Sequence, residues 1–170
     1  MDYSNLISQY STQYNVPASI LSSLIQVESG GNQYAVSSAG AEGLGQLMPA
    51  TAQELGITNV FDPSQNIGGS AKYLSQLYDK YQNWHDALIA YNAGSGNLDS
   101  GKAHASSYDY ASKILDMAGQ KNLTKMSGDS TNTDSWVTSI INAIHIKDLL
   151  MAIGGIGLIY IAIRYGIKNE

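Results

Sequence analysis

Apolar side chains recur at helical spacing from the first residues of the chain. The apolar positions of the first segment are Tyr3, Leu6, Ile7, Tyr10 and Tyr14. Residues three or four positions apart lie on one face of an α-helix, so this pattern predicts an amphipathic helix. The sequence Asn-Val-Pro at 15–17 interrupts it, and Pro17 is suited to the first turn of a new helix.

The second predicted helix carries Glu28 on its apolar face. Glu28 follows Ile25 by three residues, Leu24 by four and Leu21 by seven, and the glycines at 30–31 are expected to end the helix. Its carboxyl should therefore point inward or into a cleft. Burial raises the pKa of a carboxyl, and a carboxyl that keeps its proton near neutral pH can act as a general acid. A solvated or salt-bridged glutamate at a helix end fits the spacing equally well.

The remainder of the N-terminal part also has helical patterns. Residues 32–46 are rich in Ser, Gly and Ala and lack a period, which predicts a long ordered loop of the kind that carries function. Further helices are predicted from Pro49 to Leu55, from 62–63 through Tyr81, from Trp84 until Gly94 and Gly96, and from Ser107 to Met117. No segment alternates with period two between hairpin turns. The predicted fold class is all-α, with at most a minor β ribbon.

The last third of the sequence predicts a linker and a membrane anchor. Residues 119–135 are polar and bury too little apolar surface to offset their ordering entropy, which predicts a flexible linker. Residues 136–170 begin amphipathically, and the run from Leu149 to Ile163 contains no charge. This run is shorter than the about 20 helical residues that span a bilayer core. A single transmembrane helix would therefore include flanking charged residues, whose side chains would have to snorkel towards the headgroups. A buried or interfacial helix is the alternative.

Small and charged residues of this C-terminal segment add two expectations. Glycines at 154–157 permit close helix packing in lipid, which suggests oligomerisation through the membrane helix. Arg164 and Lys168 follow the apolar run and favour a cytoplasmic C-terminus with the N-terminal domain outside, although Lys147 opposes this orientation. The first residues lack the basic and apolar regions of a secretory signal.

Charge and composition disfavour several kinds of chemistry. The net charge of −5 provides no basic surplus for phosphates, so no nucleic-acid partner is predicted. The absence of cysteine excludes disulfides, thiolate nucleophiles and zinc–thiolate sites. His85, His104 and His145 lack metal-ligand spacing, so neither a metal nor another cofactor is predicted.

Three sequence blocks resemble the successive motifs of the soluble lytic transglycosylase family. They are ESGG at 28–31, GAEGLGQLMPATA at 40–52 and AYNAG at 90–94. Their order and spacing make the resemblance specific, and it extends over roughly residues 7–115. It implies that residues 1–118 form a lysozyme-like helical domain with a groove for the glycan strands of peptidoglycan.

The resemblance also implies the chemistry. Glu28 would be the sole catalytic acid/base and Ser29 would orient substrate beside it, unless Ser29 serves only the end of its helix. In the family, the acid protonates the bond between N-acetylmuramic acid (MurNAc) and N-acetylglucosamine (GlcNAc). The MurNAc C6 hydroxyl then closes onto C1 and yields a 1,6-anhydro product without water. Because both partners belong to one sugar, a second carboxylate is dispensable.

Four further residues are implied to bind substrate. Gln46 and Asn92 would bond sugar N-acetyl or hydroxyl groups, while Tyr91 would hold Glu28 or the sugar through its hydroxyl. Each has a structural alternative: the amides could satisfy loop backbone, and the tyrosine could belong to the core. The family has a tyrosine at the start of its last helix, a position that Tyr110 matches and Tyr108 could fill instead.

Two departures from the family bear on the mechanism. Gly45 stands where a methionine is common, which is expected to widen the groove floor or loosen the loop. Glu42 could be a second carboxylate facing the bond, and the enzyme would then be a hydrolase resembling goose-type lysozyme. A surface position for Glu42 is the preferred interpretation. The remaining alternative is a non-catalytic wall-binding or membrane-channel component.

The location of such an enzyme follows from its substrate. Its catalytic domain must face peptidoglycan, on the periplasmic side of a membrane or on the virion side. The missing export signal favours a bacteriophage protein carried in the virion, which opens the cell wall locally for genome entry.

Overall fold

The computed structural model of the protein describes residues 2–119, which contain seven α-helices. They are α1 Ser4–Tyr14, α2 Ala18–Ser29, α3 Pro49–Leu55, α4 Pro63–Tyr81, α5 Trp84–Ala93, α6 Ser95–Asp99 and α7 Ala105–Met117. In this part of the chain, the β structure consists of isolated antiparallel bridges that join Glu42 to Val36 and to Leu47. The prediction of a helical domain with a minor ribbon is confirmed.

The ends of the early helices follow from local chemistry. Helix α2 ends at Gly30, whose φ of 62° is a left-handed conformation that glycine adopts without a steric penalty. Helix α3 begins with Pro49 and ends at Gly56. The Asp62 carboxylate caps α4 by accepting a hydrogen bond of 2.8 Å from the backbone N–H of Gln65. These boundaries agree with the predicted ones.

The sequence pattern failed at one short helix. Gly94 and Gly96 were expected to end α5 together, but only Gly94 does so, and Gly96 lies within α6. Helix α6 packs against α5, and its last residue contacts α4: Lys80 pairs with Asp99 at 2.6 Å, and the Tyr81 hydroxyl donates to Asp99 at 2.8 Å. A five-residue helix shows too little periodicity to detect, and such a helix depends on tertiary contacts for its stability.

Helix α5 lies in the core of the domain and packs against three other helices, α4, α6 and α7. Four consecutive residues, Ala87 to Ala90, are 0% exposed, so the middle of this helix is covered on every side. Helices α4 and α7 pack against it, and α7 also packs against α2. The buried core also includes Leu21, Leu24, Ile67, Leu74, Ile114 and Leu115. The α2–α7 contact brings the end of α2 beside the middle of α7.

The predicted linker and membrane segment lie outside the described residues, apart from Gly119. The predicted single-pass helix at 136–170 and its oligomerisation therefore stay predictions. Among the helices of residues 2–119, none combines the length and apolar character needed to cross a bilayer.

Candidate active site

Glu28 lies in the last turn of α2 with its carboxyl largely enclosed. The Tyr110 hydroxyl of α7 donates a hydrogen bond of 2.5 Å to Glu28 Oε1, across 82 residues of sequence. Burial raises the pKa of Glu28 from 4.5 to about 7, and the bond from Tyr110 partly opposes this rise by stabilising the carboxylate. The inward orientation agrees with the apolar spacing of α2. Near neutral pH, this carboxyl can both donate and accept a proton.

Tyr110, rather than Tyr108, is the tyrosine of α7 that contacts Glu28. Tyr108 is 41% exposed, and its ring lies 6.2 Å from that of His85. Burial, followed by the nearby charge of Glu28, raises the pKa of Tyr110 well above its ordinary value. Tyr110 therefore keeps its proton and remains a donor to the carboxyl. The ambiguity between these two tyrosines could not be resolved from sequence, because either can begin a helix.

Tyr91 lies close to Glu28 but is bonded to the preceding loop. Its hydroxyl donates to the carbonyl oxygen of Gly45 at 2.9 Å. Tyr91 was expected to hold Glu28 or the sugar; of these, the bond to Glu28 is made by Tyr110, and the contact with a sugar stays a prediction. Burial raises the pKa of Tyr91 far above its usual range, and the charge of Glu28 contributes to the rise. Tyr91 thus links the loop at 42–46 to the surroundings of the acid.

Asn66 of α4 anchors the same loop. This side chain is 1% exposed, and its Oδ1 accepts a hydrogen bond of 2.7 Å from the Gly45 N–H. Its Nδ2 donates to the carbonyls of Glu42 at 3.2 Å and Val60 at 2.8 Å. Sequence reasoning did not single out Asn66 as a site residue. Asn66 and Ile67 also resemble the soluble lytic transglycosylase pattern, and this further agreement was the available signal.

Gly45 lies in a well-held loop, contrary to the expectation that this glycine loosens it. Its N–H and carbonyl are both bonded, to Asn66 and Tyr91. The space beside it is filled, because a Cβ at this position would lie 2.0 Å from Ser70 Oγ. A small residue here permits close packing of the loop on α4.

The side chain of Gln46 is partly committed to its own loop. Its Nε2 donates to the carbonyls of Ala35 at 3.1 Å and Gly43 at 2.9 Å. The backbone of Gln46 has a φ of 49°, which is uncommon outside glycine and indicates that surrounding contacts enforce it. These bonds use both amide protons and leave Oε1 as the atom that can accept from a sugar.

Ser29 and Asn92 also have protein partners. Ser29 Oγ donates to the Ile25 carbonyl at 3.2 Å and accepts from the Gly31 N–H at 3.2 Å, the helix-end bonding weighed above as its alternative role. Asn92 Oδ1 accepts a hydrogen bond of 2.8 Å from Ser107 Oγ. The amide protons of Asn92 remain for a ligand.

Glu42 has a structural role through its backbone. Both β-bridges pass through it, and the Asn66 amide donates to its carbonyl. Its side chain is partly buried. Within residues 2–119, no three His, Asp or Glu side chains are grouped so that they could hold a metal ion.

Sequence comparisons connect this site to known proteins. The sequence model of the transglycosylase SLT domain matches residues 5–114. The transglycosylase of Enterobacteria phage PRD1 is 40% identical over 124 residues, which are 73% of this chain and 44% of that protein. Membrane-bound lytic murein transglycosylase F of Pseudomonas fluorescens is 34% identical over 108 residues, 59% of this chain and 22% of that protein.

Solved structures show the same fold. The 70-kDa soluble lytic transglycosylase of Escherichia coli superposes with a TM-score of 0.64 and 25% identity, over 70% of this chain and 24% of that one. An inactive glutamate-to-glutamine variant of lytic transglycosylase Slt from Pseudomonas aeruginosa gives 0.62 and 26%, over 71% and 24%. The chain thus spans less than half the length of each of these relatives.

Proposed function

Because the chain belongs to the transglycosylase SLT domain family, we propose that it is a peptidoglycan lytic transglycosylase. It cleaves the β-1,4 bond between MurNAc and GlcNAc and leaves a 1,6-anhydro-MurNAc end. The observation that carries this proposal is the enclosed Glu28 carboxyl, held by Tyr110, with a pKa of about 7. An acid with this pKa is suited to give and then recover a proton within one catalytic cycle.

Glu28 acts first as an acid and then as a base. Its proton passes to the glycosidic oxygen while the bond from that oxygen to MurNAc C1 breaks, and GlcNAc leaves with a free 4-hydroxyl. The Glu28 carboxylate then accepts the proton of the MurNAc C6 hydroxyl, whose oxygen bonds to C1. The cycle restores the protonated acid and consumes no water. Tyr110 stabilises the carboxylate between the two proton transfers.

One carboxylate is sufficient for this reaction. The attacking hydroxyl belongs to the sugar that is being cleaved, so the closing step is intramolecular. The proposed cycle therefore needs no second carboxylate, unlike that of a two-carboxylate hydrolase. The inactive glutamate-to-glutamine variant of the Pseudomonas aeruginosa relative is consistent with a single essential acid.

The residues around the acid are proposed to bind the glycan strand. Gln46 offers Oε1 and Asn92 offers its amide protons, the atoms that their protein bonds leave unused. Ser29 lies next to Glu28 and adds a hydroxyl that is already bonded to the helix end. Tyr91 is proposed to support the loop through its hydrogen bond to the Gly45 carbonyl, without contacting the reacting bond.

Analysis of released products tests this function. The full-length protein, its Glu28→Gln variant and a Glu54→Gln control are incubated with purified peptidoglycan, and soluble muropeptides are identified by mass. Glu54 is an exposed glutamate of α3, so the same substitution there should leave activity unchanged. We expect anhydro-MurNAc ends from the wild type and the control, and none from Glu28→Gln.

Other products would lead to a different function. Reducing MurNAc ends that incorporate labelled oxygen from water would identify a hydrolase and would make Glu42 the next residue to substitute. Binding to peptidoglycan without any release would instead indicate a wall-binding or channel component.

We further propose that the protein is a membrane-tethered component of a bacteriophage virion that opens the wall during genome entry. The uncharged run from Leu149 to Ile163 and the similarity to the PRD1 transglycosylase support this proposal. The similarity to membrane-bound transglycosylases supports the membrane part. Fractionation of purified virions tests both parts, since the protein should be found with the virion membrane. Its absence from virions would refute the assignment.

A further inference from the structure

Gly45 and Ser70 occupy one tightly packed position beneath the loop at 42–46. A Cβ on Gly45 would lie 2.0 Å from Ser70 Oγ, 2.9 Å from Ser70 Cβ and 3.0 Å from the Tyr91 hydroxyl oxygen. Non-bonded carbon and oxygen atoms do not approach to 2.0 Å. Glycine is therefore required at position 45 by the space that Ser70 occupies.

Ser70 is a buried hydroxyl with an incomplete hydrogen bond. Its side chain is 0% exposed, and among residues 2–119 no atom is placed to form a hydrogen bond of acceptable geometry with its Oγ. Tyr91 uses its own proton on the Gly45 carbonyl, so its oxygen is free to accept. Ser70 lowers the pKa of Tyr91, as a donor to that oxygen does, against the larger rise caused by burial. A hydroxyl hydrogen rotates freely, so a small adjustment of Ser70 completes this bond.

We propose that Ser70 is a positioning residue for the active-site loop. Its hydroxyl fills the space left by the absent side chain of Gly45 and donates to Tyr91, which in turn donates to the Gly45 carbonyl. The function of this chain of hydroxyls is to fix the backbone that presents Gln46. The expected effect on KM rests on the proposed function. The pairing of positions 45 and 70 rests only on the distances between their atoms.

The reason that Gln46 needs such support lies in its backbone. Its φ of 49° must be enforced by neighbouring contacts, and the preceding residue, Gly45, is held through both its N–H and its carbonyl. Asn66 accepts from the Gly45 N–H, and Tyr91 donates to the Gly45 carbonyl. Hydrogen bonds in a chain polarise one another, so the Ser70 donor strengthens the bond from Tyr91 to the loop.

A double-mutant cycle tests the pairing of the two positions. Gly45→Ala forces the contacts at 2.0 and 2.9 Å, and it should lower Tm by about 5 °C or more. Ser70→Gly removes both contacts, so the double variant Gly45→Ala/Ser70→Gly should recover most of that loss relative to Ser70→Gly alone. Ser75→Gly, in the same helix, controls for the cost of a glycine within α4.

A second glycine provides the control for specificity. A Cβ on Gly96 meets nothing within 4 Å, and Gly96→Ala combined with Ser70→Gly should show additive shifts in Tm. Non-additivity confined to the pair of positions 45 and 70 supports the proposal. Equal stability of Gly45→Ala and wild type would overturn the pairing.

Steady-state kinetics on soluble glycan strands test the positioning role. Ser70→Ala keeps Cβ but removes the hydroxyl, and we expect KM to rise about three- to tenfold with kcat little changed, as for one lost hydrogen bond. A loss of folded protein alone would lower apparent kcat and leave KM unchanged, which would overturn the positioning role. If the wild type releases no anhydro product, the proposed function fails, whereas the stability cycle still decides whether the two positions are paired.

Discussion

Replacing Glu28 with Gln should stabilise the protein at alkaline pH, because the wild type must bury a charge there. Gln keeps the size of the side chain and an oxygen that accepts from Tyr110, while it removes the titrating group. A folded-state pKa above the unfolded one means that the folded protein binds more protons between these two values. Wild-type stability therefore falls as pH rises from 4.5 through about 7.

The size of the effect follows from the pKa of Glu28. A rise from 4.5 to about 7 corresponds to about 3 kcal/mol at 1.36 kcal/mol per pH unit. The stability difference, variant minus wild type, should be constant below pH 4.5, increase between the two pKa values and level off above pH 7. A difference of about 3 kcal/mol is a large part of the roughly 5–15 kcal/mol that stabilises a typical domain.

Urea unfolding at several pH values measures this difference. Full-length wild type, Glu28→Gln and Glu54→Gln are unfolded between pH 4 and 9, with helical circular dichroism as the signal. Other titrating groups contribute equally to all three proteins and cancel in the differences. The Glu54→Gln variant controls for the same substitution at an exposed glutamate outside the site.

The pH dependence separates this explanation from others. A constant difference between Glu28→Gln and wild type over the whole range would mean that Glu28 titrates normally. The proposed acid/base role would then lose its physical basis, even if the variant were inactive. A larger wild-type stability at high pH would refute the sign of the argument.

Three further outcomes follow from the same site. Activity should decline above about pH 7, where Glu28 loses the proton needed by a general acid, and a rate–pH profile on soluble glycan strands measures the midpoint. Tyr110→Phe removes the bond that lowers the pKa of Glu28, so this midpoint should move to higher pH. Tyr108→Phe should leave the midpoint in place. An unchanged midpoint in Tyr110→Phe would contradict the assigned contact. Asn66→Ala leaves the buried Gly45 N–H without its partner and should reduce the free energy of unfolding by about 2–4 kcal/mol in urea titrations. A loss below about 1 kcal/mol would show that another group anchors the loop.

The helices of the domain could be predicted because their signals are local. Proline at the start of α3 and α4 and glycine after α2 and α3 mark helix ends through their own backbone preferences. Helix α6 could not be predicted, because its contacts are tertiary: it packs against α5, and Asp99 contacts Lys80 and Tyr81. These partners are 18 and 19 residues away, beyond the reach of any periodic pattern.

The site could be predicted in part for the same reason. The apolar spacing of α2 placed Glu28 on the buried face of the helix, but a solvated glutamate at the helix end fitted that spacing equally well. It could not reveal Tyr110 as the partner, because that contact depends on how α7 packs against α2. The spatial pairing of Gly45 with Ser70 also had no local signal. A glycine in a loop suggests flexibility, whereas here its neighbour on α4 determines its role.

The opposing effects on Glu28 explain why burial and Tyr110 occur together. Burial alone would raise the pKa further. The carboxyl would then hold its proton more tightly, and the carboxylate needed in the second step would be more strongly disfavoured. The Tyr110 hydroxyl stabilises the carboxylate and brings the pKa back towards neutrality. Since one residue must serve as donor and then as acceptor, neither state can be strongly disfavoured at the working pH. A two-carboxylate enzyme can divide these tasks between groups of different pKa, whereas a single carboxyl requires this balance within its own surroundings.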